Sequence, residues 1–422
     1  MLNKNGEREL AYVVKIDAIE PIVGSDNCEA AIVGGWRIMV RKNTFKSGDL
    51  AIYFEIDSKV DTTRPEFAFL EKKGGKIKTQ RYTFGGKGLM ISQGLLMAPS
   101  DFGWMVAYSS ADPNNYYIVT NNNGGVNEKC FRVDDESRFL TKELGVTYAE
   151  TEDNARKGKV DSEAKYKSMA ARHQKIFKKK WVRWLMRRSW GKKLMFLFFG
   201  KKKDSPRTFP THFQFIKKTD EERCENLPWV LGYERPLIVT EKLDGTSSTY
   251  ILERKGKREF EFYVCSRNVR QQDENQKCYH DHNIYWDMAF KYNIEEHLRE
   301  YLEKNPNCPY VCIQGESVGS VQGNPLNLAE DDLYCFNFID GCVGRMDSIT
   351  GQNIVTAWGM KWVPILDTNY MMPTNMEEFK QYATAKSVVN PDVLREGVVL
   401  RDPTNDFSFK NVSREYLLKH NG

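Results

Sequence analysis

No apolar stretch in these 422 residues is long enough to cross a bilayer. The run over residues 194–199 is apolar, but a helical span needs about 20 such residues. The N-terminus lacks the apolar core that directs secretion, so an intracellular, cytoplasmic protein is expected. A disulfide framework is lacking too. The nine cysteines are an odd number, are scattered, and in several cases fall in strand-like runs, which suits reduced thiols. Neither Cys278-Tyr279-His280-Asp281-His282 nor Cys308-Pro309-Tyr310-Val311-Cys312 has the ligand spacing of a structural zinc site. No internal repeat is present. What remains, 41% hydrophobic and 28% charged residues, is the composition of a globular protein, and the length allows two or three domains with cores of their own.

A strong overall charge is also absent, at a formal net +5, yet the positive charge is concentrated. Residues 156–203 hold eighteen Lys or Arg against only Asp161 and Glu163, so the rest of the chain is net acidic. Between Lys178 and Trp190 apolar residues recur every three to four positions, which predicts a basic amphipathic helix. Basic charge with interleaved tryptophan suits a nucleic-acid backbone. A membrane surface, a partner groove or a solvated linker helix would fit the same pattern.

The stretch richest in chemistry is Glu241-Lys242-Leu243-Asp244-Gly245-Thr246. Apolar, β-branched runs flank it over 236–240 and 247–252, which predicts a strand, a tight turn at Gly245 and a second strand. A lysine at the mouth of a sheet, two positions from a carboxylate, is a candidate nucleophile. It reacts only as the neutral amine, so its pKa must fall from about 10.4. A metal ion or a second cation nearby would supply that shift. Taken alone the motif is short, and an exposed hairpin turn has the same composition.

Three further blocks follow it. Val264-Cys265-Ser266-Arg267-Asn268 ends a strand-like run and offers a guanidinium with the geometry to grip a phosphate or a ribose edge. Residues 310–317 form an apolar strand ending near Gly315-Glu316, whose carboxylate suits ribose hydroxyls or a hydrated metal. An aromatic strand over 333–341 comes next. Phe336 or Phe338 could stack on a base there, although aromatic residues in strands more often serve the core. Finally, Glu396 opens an apolar strand and Lys410 sits in the following one, which sets a carboxylate for metal beside a cation for phosphate.

In this order the blocks resemble the covalent nucleotidyltransferase superfamily of ATP-dependent RNA and DNA ligases and mRNA capping enzymes, and most closely the RNA ligases. The resemblance covers roughly residues 205–420. It implies that Lys242 attacks the α-phosphate of ATP to form a lysyl-AMP. The AMP then passes to the 5′-phosphate of a strand, and a 3′-OH displaces it. The resemblance also implies roles for single residues. Asp244 and Glu396 hold hydrated Mg2+ or Mn2+, and Glu241 reads the adenine amino group. Arg267 contacts ribose or the 5′-phosphate, Glu316 binds ribose, Phe336 stacks on adenine and Lys410 contacts the α-phosphate. Many relatives carry a second lysine two positions later, where this chain has Val412. A DNA nick ligase, a GTP-using capping enzyme, and a nucleic-acid-binding protein with a degenerate ligase domain are the alternatives.

Ahead of these motifs, residues 10–16, 30–33, 36–40 and 50–56 read as short strands between turn residues, and segments 76–81 and 92–96 continue them. They predict a small OB-type β-barrel. Lys42, Phe45 and Lys46 lie on one of its loops, where charge beside an aromatic suits nucleic-acid contact. An OB domain in front of the catalytic domain, with no room for one after Lys410, is similar to one branch of the RNA ligases. The expected α+β architecture is an OB-type barrel (1–135), a basic helical linker (136–204) and a mixed α/β nucleotidyltransferase domain of ATP-grasp-like ligase type (205–422). Such a protein is expected to act as a monomer on RNA, with ATP and Mg2+ or Mn2+ as cofactors and no membrane attachment.

Overall fold

A computed structural model of the chain describes residues 1–3, 6–84, 88–109, 115–120, 129–149, 208–271, 274 and 282–420. The basic segment 156–203 and its expected helix lie outside the described residues, as do Cys278 and His280.

In the N-terminal region, β1 (Ala11–Lys15) and β2 (Ala18–Pro21) follow each other across a bend at Ile16-Asp17. β2 pairs with β3 (Cys28–Val33), and β3 pairs with β4 (Trp36–Arg41). β1 pairs with β5 (Leu50–Phe54). β6 (Gly88–Ser92) pairs with the strand Gln80–Phe84, and β7 (Leu95–Met97) pairs with β5. The period-two alternation of β1 and β5 builds two cores. Ala11, Val13, Ile52 and Phe54 face Phe67, Ile118, Leu140 and Leu144. Tyr12, Val14, Ala51 and Tyr53 face Trp36, Ile38 and Phe45. Among the described residues no continuous ladder closes the expected barrel; the pairs form separate small sheets. Single bonds hold the seam beside β4, with Gln93 N donating to Arg37 O at 2.9 Å and Met39 N to Ser92 Oγ at 3.0 Å. The result is an OB-fold region with an interrupted seam.

Phe45 corrects a sequence expectation. It is 6% exposed and anchors its loop in the second core, so it is not free to stack on a base, whereas Lys42 and Lys46 beside it are exposed.

The C-terminal half contains β8 (Leu237–Lys242), β9 (Thr246–Arg254), β10 (Phe260–Ser266), β11 (Tyr310–Val318), β12 (Asp332–Asp340), β13 (Ile365–Tyr370), β14 (Gly397–Arg401) and β15 (Ser408–Val412). β15, β14, β8 and β13 lie side by side in one sheet, extended at its edge by the parallel strand Glu222–Arg223. β10, β9, β11 and β12 form the centre of a second sheet. The predicted strand-turn-strand is therefore present, but β8 and β9 do not pair. The turn between them carries the chain from one sheet to the other.

Helices α1 (Ile284–Lys291), α2 (Ile294–Lys304) and α3 (Ser348–Ala357) cover the second sheet. In α2, Ile294, Leu298 and Leu302 recur every four residues and all three are buried in its core. The Asp347 carboxylate starts α3 by accepting from the amides of Ile349 and Thr350. Helix α4 (Met376–Tyr382) packs on β15 through Phe379, and α5 (Arg414–His420) lies against β6 of the OB-fold region. The OB-fold region also meets the first sheet through an Arg8–Glu222 ion pair at 3.0 Å and through Ile91, which packs on Val412 and Leu417. No described helix is long and apolar enough to cross a membrane, and the described cysteines form no disulfide.

Candidate active site

Sheet register explains why residues far apart in sequence converge. In the first sheet Lys242 pairs with Gly397 and Val399 pairs with Lys410. In the second, Thr246 pairs with Ser317 and Ser247 with Glu316. The turn Leu243-Asp244-Gly245 joins the two sheets, so the carboxylate of Glu396 comes from one side of it and that of Glu316 from the other. Glycine is required both at this turn and at Gly397 in the first sheet. A Cβ on Gly245 would lie 2.3 Å from Ser317 O, and one on Gly397 2.2 Å from Asn411 O.

The resulting cleft is about 310 Å³, a size that suits a small ligand. Glu241, Lys242, Asp244, Arg267, Glu316, Phe336 and Lys410 all line it. Glu396 reaches it through Lys242, whose Nζ donates to Glu396 Oε2 at 2.6 Å. Lys42, Phe45 and Lys46 are not among its lining residues.

Charge is unevenly matched here. Burial acts to lower the Lys242 pKa, but Glu396, Glu316 and Asp244 outweigh it and hold the amine above the ordinary lysine value. In this state the lysine is a cation, the opposite of what nucleophilic attack needs. Burial, with Glu396 and Asp244 adding to it against Lys242, pushes the Glu316 carboxyl up to about 8. The Glu396 carboxyl is raised mainly by burial. Three carboxyl groups around one lysine form an oxygen donor set, and a hard divalent cation would favour their ionised forms.

The other end of the cleft is built differently. Glu241 is 1% exposed, and its Oε2 accepts from the Val388 amide at 2.8 Å. Its other oxygen is buried without a hydrogen-bond partner, and burial raises its pKa. A buried orphan acceptor of this kind is costly unless a ligand donor meets it. Phe336 is the unpaired residue of a β-bulge, since Gln314 pairs with Asn337 and Gly315 with Cys335. Bulges re-aim side chains. Phe336 thereby lines the cleft while Phe338 stays fully buried against Tyr301. The Arg401 guanidinium, which also lines the cleft, lies 5.7 Å from the Phe336 ring centre and donates to Thr240 Oγ1 at 2.9 Å. Burial lowers the Arg401 pKa to about 10.

At the opposite end, the segment before Glu222 brings Asp220 between the two cations. It pairs with Lys410 at 3.1 Å and with Arg267. Burial and the neighbouring Lys242 lower the Lys410 pKa against the pull of Asp220. Sequence reasoning did not single out Asp220, Arg401 or Tyr416. Asp220 sat inside a generally charged run, and nothing local marks the other two. Val412 is 2% exposed beneath Ile91, so the position after Lys410 on this face belongs to the contact with the OB-fold region.

Comparison with known proteins agrees with this layout. Residues 10–98 match a family model described as an OB-fold domain, and residues 235–415 match the RNA ligase family model. No curated protein matches the sequence. Solved structures of a Naegleria gruberi RNA ligase are similar over nearly the whole length. A variant of that enzyme with ATP and Mn is 26% identical, with a TM-score of 0.58 over 98% of this chain and 99% of that one. Another with ATP and Mn is 25% identical, with a TM-score of 0.57 over 98% of both chains. A third, with AMP and Mn, is 25% identical, with a TM-score of 0.59 over 98% of this chain and 99% of that one.

Proposed function

The chain carries an RNA-ligase domain behind an OB-fold domain, and from that premise we propose that it is an ATP-dependent RNA ligase that joins a 3′-OH to a 5′-phosphate through a lysyl-AMP on Lys242 and an adenylylated RNA 5′ end. The observation that carries this reading is the convergence, in one cleft, of Lys242 with the carboxylates of Asp244, Glu316 and Glu396 and the cations Arg267 and Lys410.

In the first step Lys242 Nζ forms a bond to the α-phosphorus of ATP and the bond to pyrophosphate breaks. Glu396, which accepts a hydrogen bond from Nζ, orients the amine and is placed to take its proton. Lys410 faces the negative charge of the α-phosphate, and Arg267 that of the incoming 5′-phosphate. Both cations must first leave Asp220. Phe336 stacks on the adenine, the free oxygen of Glu241 accepts from its amino group, and Glu316 binds the ribose. Mg2+ or Mn2+, held by Asp244 and Glu396, would neutralise charge on the α-phosphate and favour the neutral form of Lys242 when bound.

Lys42 and Lys46 remain exposed cations suited to the RNA backbone, a contact without base stacking from Phe45. The proposal divides the work among an OB-fold part (1–135), a basic connecting part (136–204) and an adenylylation part (205–422). It takes the protein to be cytoplasmic and monomeric. Packing of Val412 under the OB-fold region accounts for the absence of a second lysine without any loss of the reacting groups, which favours an active enzyme over a degenerate one.

Incubation with α-labelled ATP and Mn2+ or Mg2+, followed by denaturing electrophoresis, tests the reading. An acid-labile, base-stable labelled band is expected, and it should be absent in Lys242→Ala. Nicked RNA with a 5′-phosphate should then be sealed. Folded wild-type protein that takes up no label with either metal would refute the proposal.

A further inference from the structure

Helix α5 has no part in the chemistry assigned above, yet it reaches the centre of the site. Tyr416 is 4% exposed, and its Oη donates to Asp244 Oδ2 at 2.6 Å. This is the only hydrogen bond to that carboxylate among the described residues.

The helix is held so that this contact keeps its place. Ser413 N donates to the backbone oxygen of Glu396 at 2.8 Å, which ties the start of α5 to the backbone of another acidic residue of the site. Ser413 Oγ accepts from Tyr416 N at 3.2 Å. Arg414 donates to Gly35 O at 2.9 Å, and it pairs through Nη1 with both oxygens of Glu377 at 2.8 Å. Leu417 packs on Ile91 of β6 and on Val412. His420 stacks on the Tyr416 ring at 4.2 Å. The phenol is thus fixed from the OB-fold region on one side and from β15 on the other. Asp244, by contrast, sits on the short turn between the two sheets, where backbone pairing does not hold it.

We propose that Tyr416 is the positioning residue for Asp244. By donating to Oδ2 it sets the orientation of that carboxylate toward the divalent cation and leaves Oδ1 as the free acceptor. A hydrogen bond from behind a metal-facing carboxylate changes metal affinity by about 10–100-fold when it is lost. Because α5 is seated on the OB-fold region, docking of that region supports the first chemical step as well as any contact with RNA.

This inference rests on the reading of Asp244 as a metal-facing residue of the adenylylation centre. The test uses the full-length protein and the variant Tyr416→Phe, which keeps the ring and its packing and removes only the hydroxyl. Three quantities are read: Mn2+ affinity from the electron paramagnetic resonance signal of free Mn2+, lysyl-AMP formation across a Mn2+ titration, and melting temperature. Mn2+ binding should weaken at least about tenfold, and adenylylation should recover only at correspondingly higher Mn2+. The melting temperature should not change. In Asp244→Asn the further change Tyr416→Phe should cost no additional Mn2+ affinity, because the two act as one unit. Unchanged Mn2+ affinity in Tyr416→Phe overturns the proposal, and so do additive losses in the double variant. A loss that is uniform at all Mn2+ concentrations and accompanied by a lower melting temperature also overturns it, in favour of a purely structural tyrosine. If the wild-type protein forms no lysyl-AMP, the functional reading fails by itself, while the Mn2+ titration still decides the Asp244 contact.

Discussion

Lys380→Met should be among the most destabilising substitutions in the catalytic half. Lys380 is 3% exposed, and its Nζ donates to Glu225 Oε1 at 2.7 Å and to Val412 O at 3.0 Å. Burial acts to raise the Glu225 pKa, but Lys380 and Arg223 outweigh it and bring the carboxyl down to about 2 from 4.5. At about 1.4 kcal/mol per pH unit, that depression corresponds to about 3 kcal/mol of stability at neutral pH. Methionine at 380 keeps the bulk but leaves a buried carboxylate without its ammonium, a change that costs about 3–5 kcal/mol. For a domain of this size the melting temperature should fall by roughly 6–20 °C. The pH dependence has a definite sign. The folded pKa lies below the unfolded one, so the stabilisation is present above about 4.5 and is lost as the pH falls toward about 2. The gap between wild type and variant should therefore be wide at neutral pH and narrow in acid. Thermal melts followed by tryptophan fluorescence at the two ends of that range read it directly. A double variant, Lys380→Met with Glu225→Leu, should regain most of the loss, because no buried charge is then left over. The effect should also reach the chemistry. Lys380 holds the carbonyl of Val412 on the strand that carries Lys410, so adenylylation should slow below the melting temperature. A drop no larger than that of a surface substitution, or a double variant as unstable as the single one, would refute the reasoning.

Two further outcomes are expected. Glu241→Ala should raise the KM for ATP in lysyl-AMP formation by about 10–100-fold and weaken discrimination against GTP, since a hydrogen bond to a charged group is worth about 1.5–3 kcal/mol; an unchanged KM would remove Glu241 from adenine recognition. Val412→Lys should lower the melting temperature without improving ATP binding, because the position lies under Ile91 and not in the cleft; a gain in ATP affinity would show that the second-lysine position is open here.

The residues that meet in the cleft could be picked out in the chain because strand ends and turns are marked by local neighbours. Lys242, Asp244, Glu316 and Glu396 each stand beside a strand run or a glycine that announces a turn or a strand end, and the short strands of the OB-fold region announce themselves by turn spacing. Phe45 misled because an aromatic on a polar loop reads the same whether it points to solvent or anchors the loop. Asp220 and Tyr416 gave no local signal, since their importance comes from what the fold sets against them.

Strand identity and the order of the motifs, then, follow from local side-chain preferences and were present in the sequence alone. Partner and register do not, because pairing Lys242 with Gly397 joins positions that no local pattern connects. Only the tertiary structure placed the Lys242–Gly245 turn between two sheets instead of within a hairpin. It supplied the physical reason that Phe336 and not Phe338 lines the cleft, an unpaired residue in the ladder, and it buried Val412 beneath the OB-fold region. It also raised the Lys242 pKa instead of lowering it, because a pKa is set by every charge that folding brings within reach and not by the neighbours in the chain.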